Sequence, residues 1–529
     1  MVVSARQEAS KIGSDILEKG GNAFDAMVAT HFALAVCYPF AGNLGGGGFM
    51  VYRKNNGDVG GLDFREKAPL AATTDMYLDE HGNVIPNKSI LGAMAVGVPG
   101  SVAGIFEVYE KFGSLPIEDL IKPAIKLANE GVIFSKKDVS SYKHYQPYFR
   151  EANKDAIYFE RDWKINDTIK HPELAETLIR IMKNGKDEFY KGETAKKLAN
   201  FMQQSGGIIT LEDLENYEAK WRTPIIFEYD NLKIISMAPP SSGGICLAQI
   251  LKMIEPYDLD KFGHNSVKSI QVITEAERRA YADRSFYLGD PDFVSIPGDK
   301  LISKTYLEDR MSNMNFDKAT LSSDVAYGNV QVIESNETTH YSIVDTFGNS
   351  VSVTTTLNGG FGSKLFCSDL GFFLNNEMDD FSSKPGVPNM FGVTGGEANS
   401  ILPEKRMLSS MTPTIVEKGG KLLMSVGTPG GSTIITCVLQ IILNVHEYNM
   451  TMQEAVDAPR FHHQWLPDLI MMEPNSFDIT TKNELKKLGY SINETDSPVI
   501  GKVDGILVLD DQTLEGGADR RGDDTAVGF

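Results

Sequence analysis

Residues 312–337 are polar and aperiodic, rich in Ser, Asn and Asp, and at Thr338 the sequence switches abruptly to alternation. The first stretch has the composition of an exposed, mobile connector. Residues 339–345 and 351–357 are β-branched and aromatic, and they flank Thr346-Phe347-Gly348-Asn349. That pattern predicts a β-hairpin, because alternating runs on either side of a Gly/Asn turn pair with each other. A polar segment therefore delivers the chain to a strand that begins Thr338-Thr339-His340.

The remainder reads as helices and strands in alternation. Residues 8–19 are helix-periodic and stop at Gly20-Gly21, after which Asn22 caps a more apolar helix over 23–36. Four glycines, 45–48, run into a strand at 49–52, with a hairpin return at 58–64. Further helices are expected at 101–111, 117–129, 173–183, 194–204, 245–254 and 267–287, and a strand at 233–237. A short strand at 422–426 leads through Gly427-Thr428-Pro429-Gly430-Gly431-Ser432 into an apolar helix at 433–445. At 529 residues the chain holds two or more domains or one large interlocked core. The order lacks a clean βαβ rhythm, so layered sheets with helices outside are expected rather than a Rossmann fold.

Composition removes several functions. With 51 basic against 71 acidic residues the net charge is −20, and no Lys/Arg-rich run supplies the positive field of a nucleic-acid binder. The acidity reads as solubility. Cys37, Cys246, Cys367 and Cys437 are widely spaced, which argues against a zinc ribbon, a redox motif or a disulfide framework. No histidine belongs to an HExxH, and adjacent His462 and His463 point in different directions in a helix or a strand. Neither a metal nor a cofactor is expected. No run reaches the ~18–20 apolar residues of a membrane span, and Met1 to Lys11 lacks the apolar stretch of a signal peptide.

Four places bear candidate chemistry. If the bond between Glu337 and Thr338 is cut, Thr338 carries a hydroxyl nucleophile and a new α-amine of reference pKa about 7.7–8.0 as its base. The same hydroxyl is suited to making the cut, by attacking the preceding carbonyl. The alternative is an ordinary strand threonine. Gly430 and Gly431 put two N–H groups at a helix start, suited to an oxyanion, or form only a tight turn. The acidic run Asn375-Asn376-Glu377-Met378-Asp379-Asp380 lacks calcium-loop spacing. It either holds a substrate ammonium or is a solvated turn, and composition favours the solvated turn. Arg65 suits capture of a carboxylate, or an internal salt bridge to neighbouring acids. Ser409 and Ser410 could donate hydroxyls to the same anion or cap a turn.

Taken together and in order, these segments resemble the motif series of the γ-glutamyltransferases. The resemblance covers essentially the whole chain and is carried by AGNLGGGGFM (41–50), DFREKAP (63–69), PPSSGGI (239–245) and AYADRSFYLGDPDF (280–293). It continues through TTHYSIVD (338–345), TLNGGFGS (356–363), NNEMDDFSSKPGVPN (375–389), LSSMTPTIV (408–416), GTPGGS (427–432) and APRFHHQWLPD (458–468). The resemblance implies an α+β, four-layer αββα N-terminal nucleophile hydrolase sandwich. It is formed jointly by a large subunit, 1–337, and a small catalytic subunit, 338–529, cut from one precursor. By matching position Thr338 is the nucleophile, Thr356 tunes it, and Gly430 and Gly431 form the oxyanion hole. Arg65, Ser409 and Ser410 hold the substrate α-carboxylate, and Asn358, Glu377 and Asp380 its α-ammonium.

Residues 385–407 resemble the lid loop of bacterial members, with Phe391 where relatives often carry a tyrosine; this removes a hydroxyl latch but leaves packing. The function implied is cleavage of glutathione and other γ-glutamyl compounds through a γ-glutamyl-Thr338 ester. The acyl group passes to water or to an amino-acid or peptide acceptor. The rivals are a glutaryl or cephalosporin-type acylase of the same family and a non-catalytic, processed surface protein. Exported bacterial relatives imply a periplasmic or secreted enzyme without nucleic-acid partners or a membrane span.

Overall fold

The predicted hairpin forms: Thr339–Val344 pairs antiparallel with Ser350–Thr356, and Gly348 takes φ 86° in the turn between them. In the computed structural model, which describes residues 1–326, 338–384, 386–387, 389–390, 392, 395–494 and 499–529, this hairpin lies at the centre of a seven-stranded sheet. The strand order is Thr525–Val527, Val2–Ser4, Thr339–Val344, Ser350–Thr356, Gly47–Arg53, Val59–Asp63 and Lys220–Arg222. A second, six-stranded sheet runs Leu514–Ala518, Asp504–Val508, Lys421–Gly427, Thr414–Lys418, Leu232–Ser236 and Ile225–Tyr229. Strands from before and after Thr338 take part in both sheets.

The sheets pack face to face, with the Thr338 hairpin against Lys421–Gly427 and its neighbours. Helices Gln7–Glu18 and Ala23–Cys37 cover the outer face of the first sheet, and Gly243–Ile254 and Thr433–His446 that of the second. The expected αββα order is what the chain adopts. Alternation sorts the strand residues: Met50 and Tyr52 join the helical layer, while Phe49 and Val51 face the second sheet. The space between the sheets also holds a polar seam. There His340 meets the Thr354 hydroxyl at 2.9 Å, and the Ser425 hydroxyl donates to Ser342 at 3.1 Å. Burial lowers the His340 pKa to about 3, so the imidazole is neutral at ordinary pH.

The helix ends follow from local chemistry. Asn22 accepts from the Phe24 and Asp25 N–H groups, and Asp25 returns a bond to the Asn22 N–H, a reciprocal cap. Gly20 closes the preceding helix at φ 91°. The four cysteines are buried and unpaired, as small hydrophobes. Among the described residues no helix is long and apolar enough to cross a membrane.

One expectation fails. Residues 312–326 are not a simple exposed connector, since Ser322 and Val325 are buried. The Ser322 N–H donates to Asp468 at 2.7 Å and its hydroxyl to the Trp465 carbonyl at 2.5 Å, while the Trp465 indole donates to the Ser322 carbonyl at 3.1 Å. Polar residues are buried here because partners about 145 positions away satisfy them, which composition does not reveal. Residues 327–337, including Glu337, lie outside the described residues.

Candidate active site

Thr338 stands one residue before its strand and is 5% exposed. Thr339 pairs with Thr355, so the next step of the antiparallel register sets Thr338 opposite Thr356. Thr356 is held firmly. Its hydroxyl accepts from the Asn358 N–H at 2.7 Å, and its carbonyl from the Asn43 amide at 2.9 Å. Gly46 passes so close that a Cβ there would lie 2.0 Å from the Thr356 carbonyl oxygen, an approach only glycine permits. Asn358 takes φ 73°, and its amide donates to the Asn376 carbonyl at 3.0 Å.

The glycine turn joins Lys421–Gly427 to Thr433–His446, with Gly430 at φ 143° and Gly431 at φ 53°. Left-handed backbone at both positions accounts for two glycines in succession. The Thr433 hydroxyl donates to the Gly430 carbonyl at 2.8 Å, and the Ser432 hydroxyl to Gln464 Oε1 at 2.6 Å. The turn is therefore fixed before any substrate arrives.

The acidic run is not the solvated turn that composition favoured. Asn375, Asn376 and Glu377 are fully buried, and Asp379 is 3% exposed. Its counter-charge is Arg65, 1% exposed, whose Nη1 lies 2.5 Å from Glu377 and whose Nη2 bonds Asp380. Sequence reasoning set the cation and the carboxylates at opposite ends of a substrate; in the structure they neutralise each other, because an unpaired buried charge is costly. Asp379 is occupied elsewhere, accepting from the Ser89 hydroxyl at 2.6 Å and the Met390 N–H at 2.8 Å, and burial raises it to about 6.

One guanidinium does not balance all the acids around it. Glu66 lies 3.7 Å from Arg65, and burial pushes its carboxyl up to about 8; burial likewise raises Glu377, against the opposing pull of Arg65. An unfolded glutamate titrates near ~4.3. A carboxyl raised in the fold contributes stability that is whole below that value and lost as pH rises, the loss ending above about 8 for Glu66. Glu66→Gln removes this dependence. Its stability is expected to fall less steeply than that of the native chain between about pH 5 and about pH 8, by up to ~1.4 kcal/mol per pH unit. Urea unfolding across that range measures it, and parallel curves for the two chains would exclude the assignment.

A pocket of about 330 Å³ gathers these parts. Thr338, Thr356, Asn358 and Gly431 line it together with Arg65, Asp380, Ser409 and Ser410. Glu377, which contacts Arg65, and Gly430, which precedes Gly431, are not among the residues that line it. Phe391, like Glu337, lies outside the described residues. The described part of loop 385–407 is tied down twice: the Asn389 amide donates to Asp380 at 3.1 Å, and the Gln464 amide donates to the Gly392 carbonyl at 3.2 Å. Asn389 and Arg284 also line the pocket, yet sequence reasoning gave neither a role. The available signal for Arg284 was its place in the run 280–293 that carries part of the family resemblance, which by itself does not say which way the side chain points.

Two sheets between helical layers, with a threonine at a strand start facing a charged pocket, define an N-terminal nucleophile hydrolase. The crystal structure of cephalosporin acylase from Bacillus halodurans has the same fold, with TM-score 0.87 over 100% of this chain and 95% of that one, at 24% identity. Helicobacter pylori gamma-glutamyltranspeptidase is 45% identical, with TM-score 0.60 over 63% of this chain and 96% of that one. The sequence model described as Gamma-glutamyltranspeptidase matches residues 9–529. The glutathione hydrolase proenzyme of Escherichia coli K12 is 46% identical over 534 aligned positions, covering 100% of this chain and 92% of the relative. The chain belongs to the gamma-glutamyltranspeptidase family and is an enzyme.

Proposed function

We propose that the chain is a self-processed γ-glutamyltransferase and glutathione hydrolase, cut between Glu337 and Thr338 into a large subunit, 1–337, and a small subunit, 338–529. In the cut, the Thr338 hydroxyl attacks the Glu337 carbonyl and displaces the amide nitrogen, forming an ester. Water hydrolyses the ester, which leaves a carboxylate on Glu337 and a free amine on Thr338.

The freed amine then takes the hydroxyl proton as Oγ attacks the γ-carbonyl of the substrate. The oxyanion accepts from the Gly430 and Gly431 N–H groups. Collapse breaks the amide bond, the proton passes to the leaving amine, and a γ-glutamyl-Thr338 ester remains. Water, or the amine of an amino acid or peptide, attacks that ester and restores Thr338. Thr356 orients Thr338, while Arg65, Ser409 and Ser410 hold the substrate α-carboxylate. Asn358, Glu377 and Asp380 hold its α-ammonium, which replaces part of the charge that Arg65 supplies to the acids in the free enzyme.

The observation that carries this reading is the single pocket in which Thr338 shares walls with Thr356, Gly431, a serine pair and groups of opposite charge. A glutaryl substrate lacks the α-ammonium and would bring no cation to Asp380, the carboxylate in the pocket wall. The enzyme is therefore expected to release product from a γ-glutamyl anilide faster than from the glutaryl anilide, by about 10³-fold or more in kcat/KM. Preference for the glutaryl compound would make the chain an acylase instead. The resemblance to exported bacterial relatives also supports a periplasmic or secreted enzyme, which cell fractionation tests; activity confined to the cytosolic fraction would remove that assignment.

A further inference from the structure

Arg284, in the last turn of Val267–Tyr287, is a second guanidinium in the pocket wall, and its surroundings differ from those of Arg65. It is 5% exposed. Its Nε donates to the Ser242 hydroxyl at 2.9 Å and its Nη2 to the Ser410 hydroxyl at 3.0 Å. Among the described residues no carboxylate lies within 4.0 Å of it, whereas Arg65 contacts Glu66, Glu377 and Asp380. Asp380 acts on it only from longer range. In this structure Arg65 is matched by acids, and Arg284 brings positive charge to the wall with hydroxyl partners alone.

The hydrogen-bond directions have a consequence for the serine pair. A guanidinium has only donors, so the bond to Ser410 occupies a lone pair of its oxygen and turns the hydroxyl hydrogen away from Arg284. Ser410 is thereby preset as a donor toward the pocket. On its other arm Arg284 fixes Ser242, whose hydroxyl donates to the Ser409 carbonyl at 2.7 Å and whose N–H donates to the same oxygen at 2.7 Å. Both serines are thus braced by one cation. We infer that Arg284 is a positioning residue for the substrate α-carboxylate, setting the Ser410 hydroxyl as a donor, holding the Ser409 backbone through Ser242 and adding a second positive charge beside them. This rests on the reading above, in which that carboxylate binds to Arg65, Ser409 and Ser410.

The test compares γ-glutamyl anilide with γ-aminobutyryl anilide, which keeps the amine and lacks only the α-carboxylate. Arg284→Gln is expected to raise KM for the γ-glutamyl compound by about 10- to 100-fold, the scale of a lost charge-assisted contact, with kcat within about threefold. KM for the aminobutyryl compound should stay unchanged. Arg284→Lys should recover part of the loss, and adding Arg284→Gln to Ser410→Ala should cost less than it does in the native chain. An unchanged KM, or an equal loss on both substrates, overturns the inference.

If Arg284→Gln does not fold or self-cleave, Arg284→Lys and Ser242→Ala decide the matter. Each should raise KM by about three- to tenfold on the γ-glutamyl substrate alone, and neither doing so overturns the inference. Equal handling of the two anilides by the native enzyme would instead sink the carboxylate-binding reading itself. Discrimination undiminished from the native enzyme's in the Arg284 variants sinks only the role of Arg284.

Discussion

A Thr338→Ala chain is expected to remain one polypeptide and to lose γ-glutamyl anilide turnover by on the order of 10⁴-fold or more. On the proposed mechanism both losses have one origin, because the hydroxyl that opens the Glu337–Thr338 bond is the hydroxyl that later carries the acyl group. The strand after Thr338 is clamped between Val2–Ser4 and Ser350–Thr356, so alanine at 338 should leave the fold intact. Loss of activity would then be chemical. Intact-mass analysis of native and variant chains, with N-terminal sequencing of any fragment, reads the result. A fragment beginning at residue 338 in the alanine chain would show that another group makes the cut.

Arg65→Met should be less damaging to turnover but costly to the fold, for two separable reasons. Three carboxylates, on Glu66, Glu377 and Asp380, face this one guanidinium. Removing one partner of a buried ion pair costs about 3–5 kcal/mol, because the remaining charge is neither solvated nor paired. The acids respond by holding their protons more tightly. Burial already raises Glu377 and Asp380, and Arg65 is the strongest opposing pull on both. Without it they rise further, and carboxyls raised in the fold withdraw stability as pH increases above ~4.3. The urea midpoint of the variant should accordingly fall more from about pH 5 to about pH 8 than that of the native chain. Turnover of γ-glutamyl anilide should drop by about 10²-fold or more, chiefly through KM. A variant with native stability across that range and a native KM would mean that Arg65 neither balances the acids nor meets the substrate.

Much of the scaffold was legible because the decisive signals are local. The turn at 346–349 sets which threonine of one strand faces which of the next, and it brings Thr356 opposite Thr338. Asn22 with Asp25, and Gly20, mark helix ends through bonds made within a few residues. The strands Val2–Ser4 and Thr525–Val527 were not anticipated, since three residues carry no measurable period. Their pairing joins the two ends of the chain beside the nucleophile strand, an arrangement set by the whole sheet. The segment 312–326 was misread for a related reason: its polar groups find partners on distant elements.

By itself, then, the sequence determined the hairpin that presents Thr338, the glycine turn before Thr433–His446, and the order of motifs that defines the family. Backbone preference and alternation act over a few residues and leave their mark in any short window. Only the tertiary structure decided that the acidic run is buried, that Arg65 reaches Glu377 and Asp380 across more than 300 residues, and that Arg284 stands behind Ser410. Charge pairing depends on distance in space and on exclusion of water, and neither quantity is written in the spacing of residues along the chain.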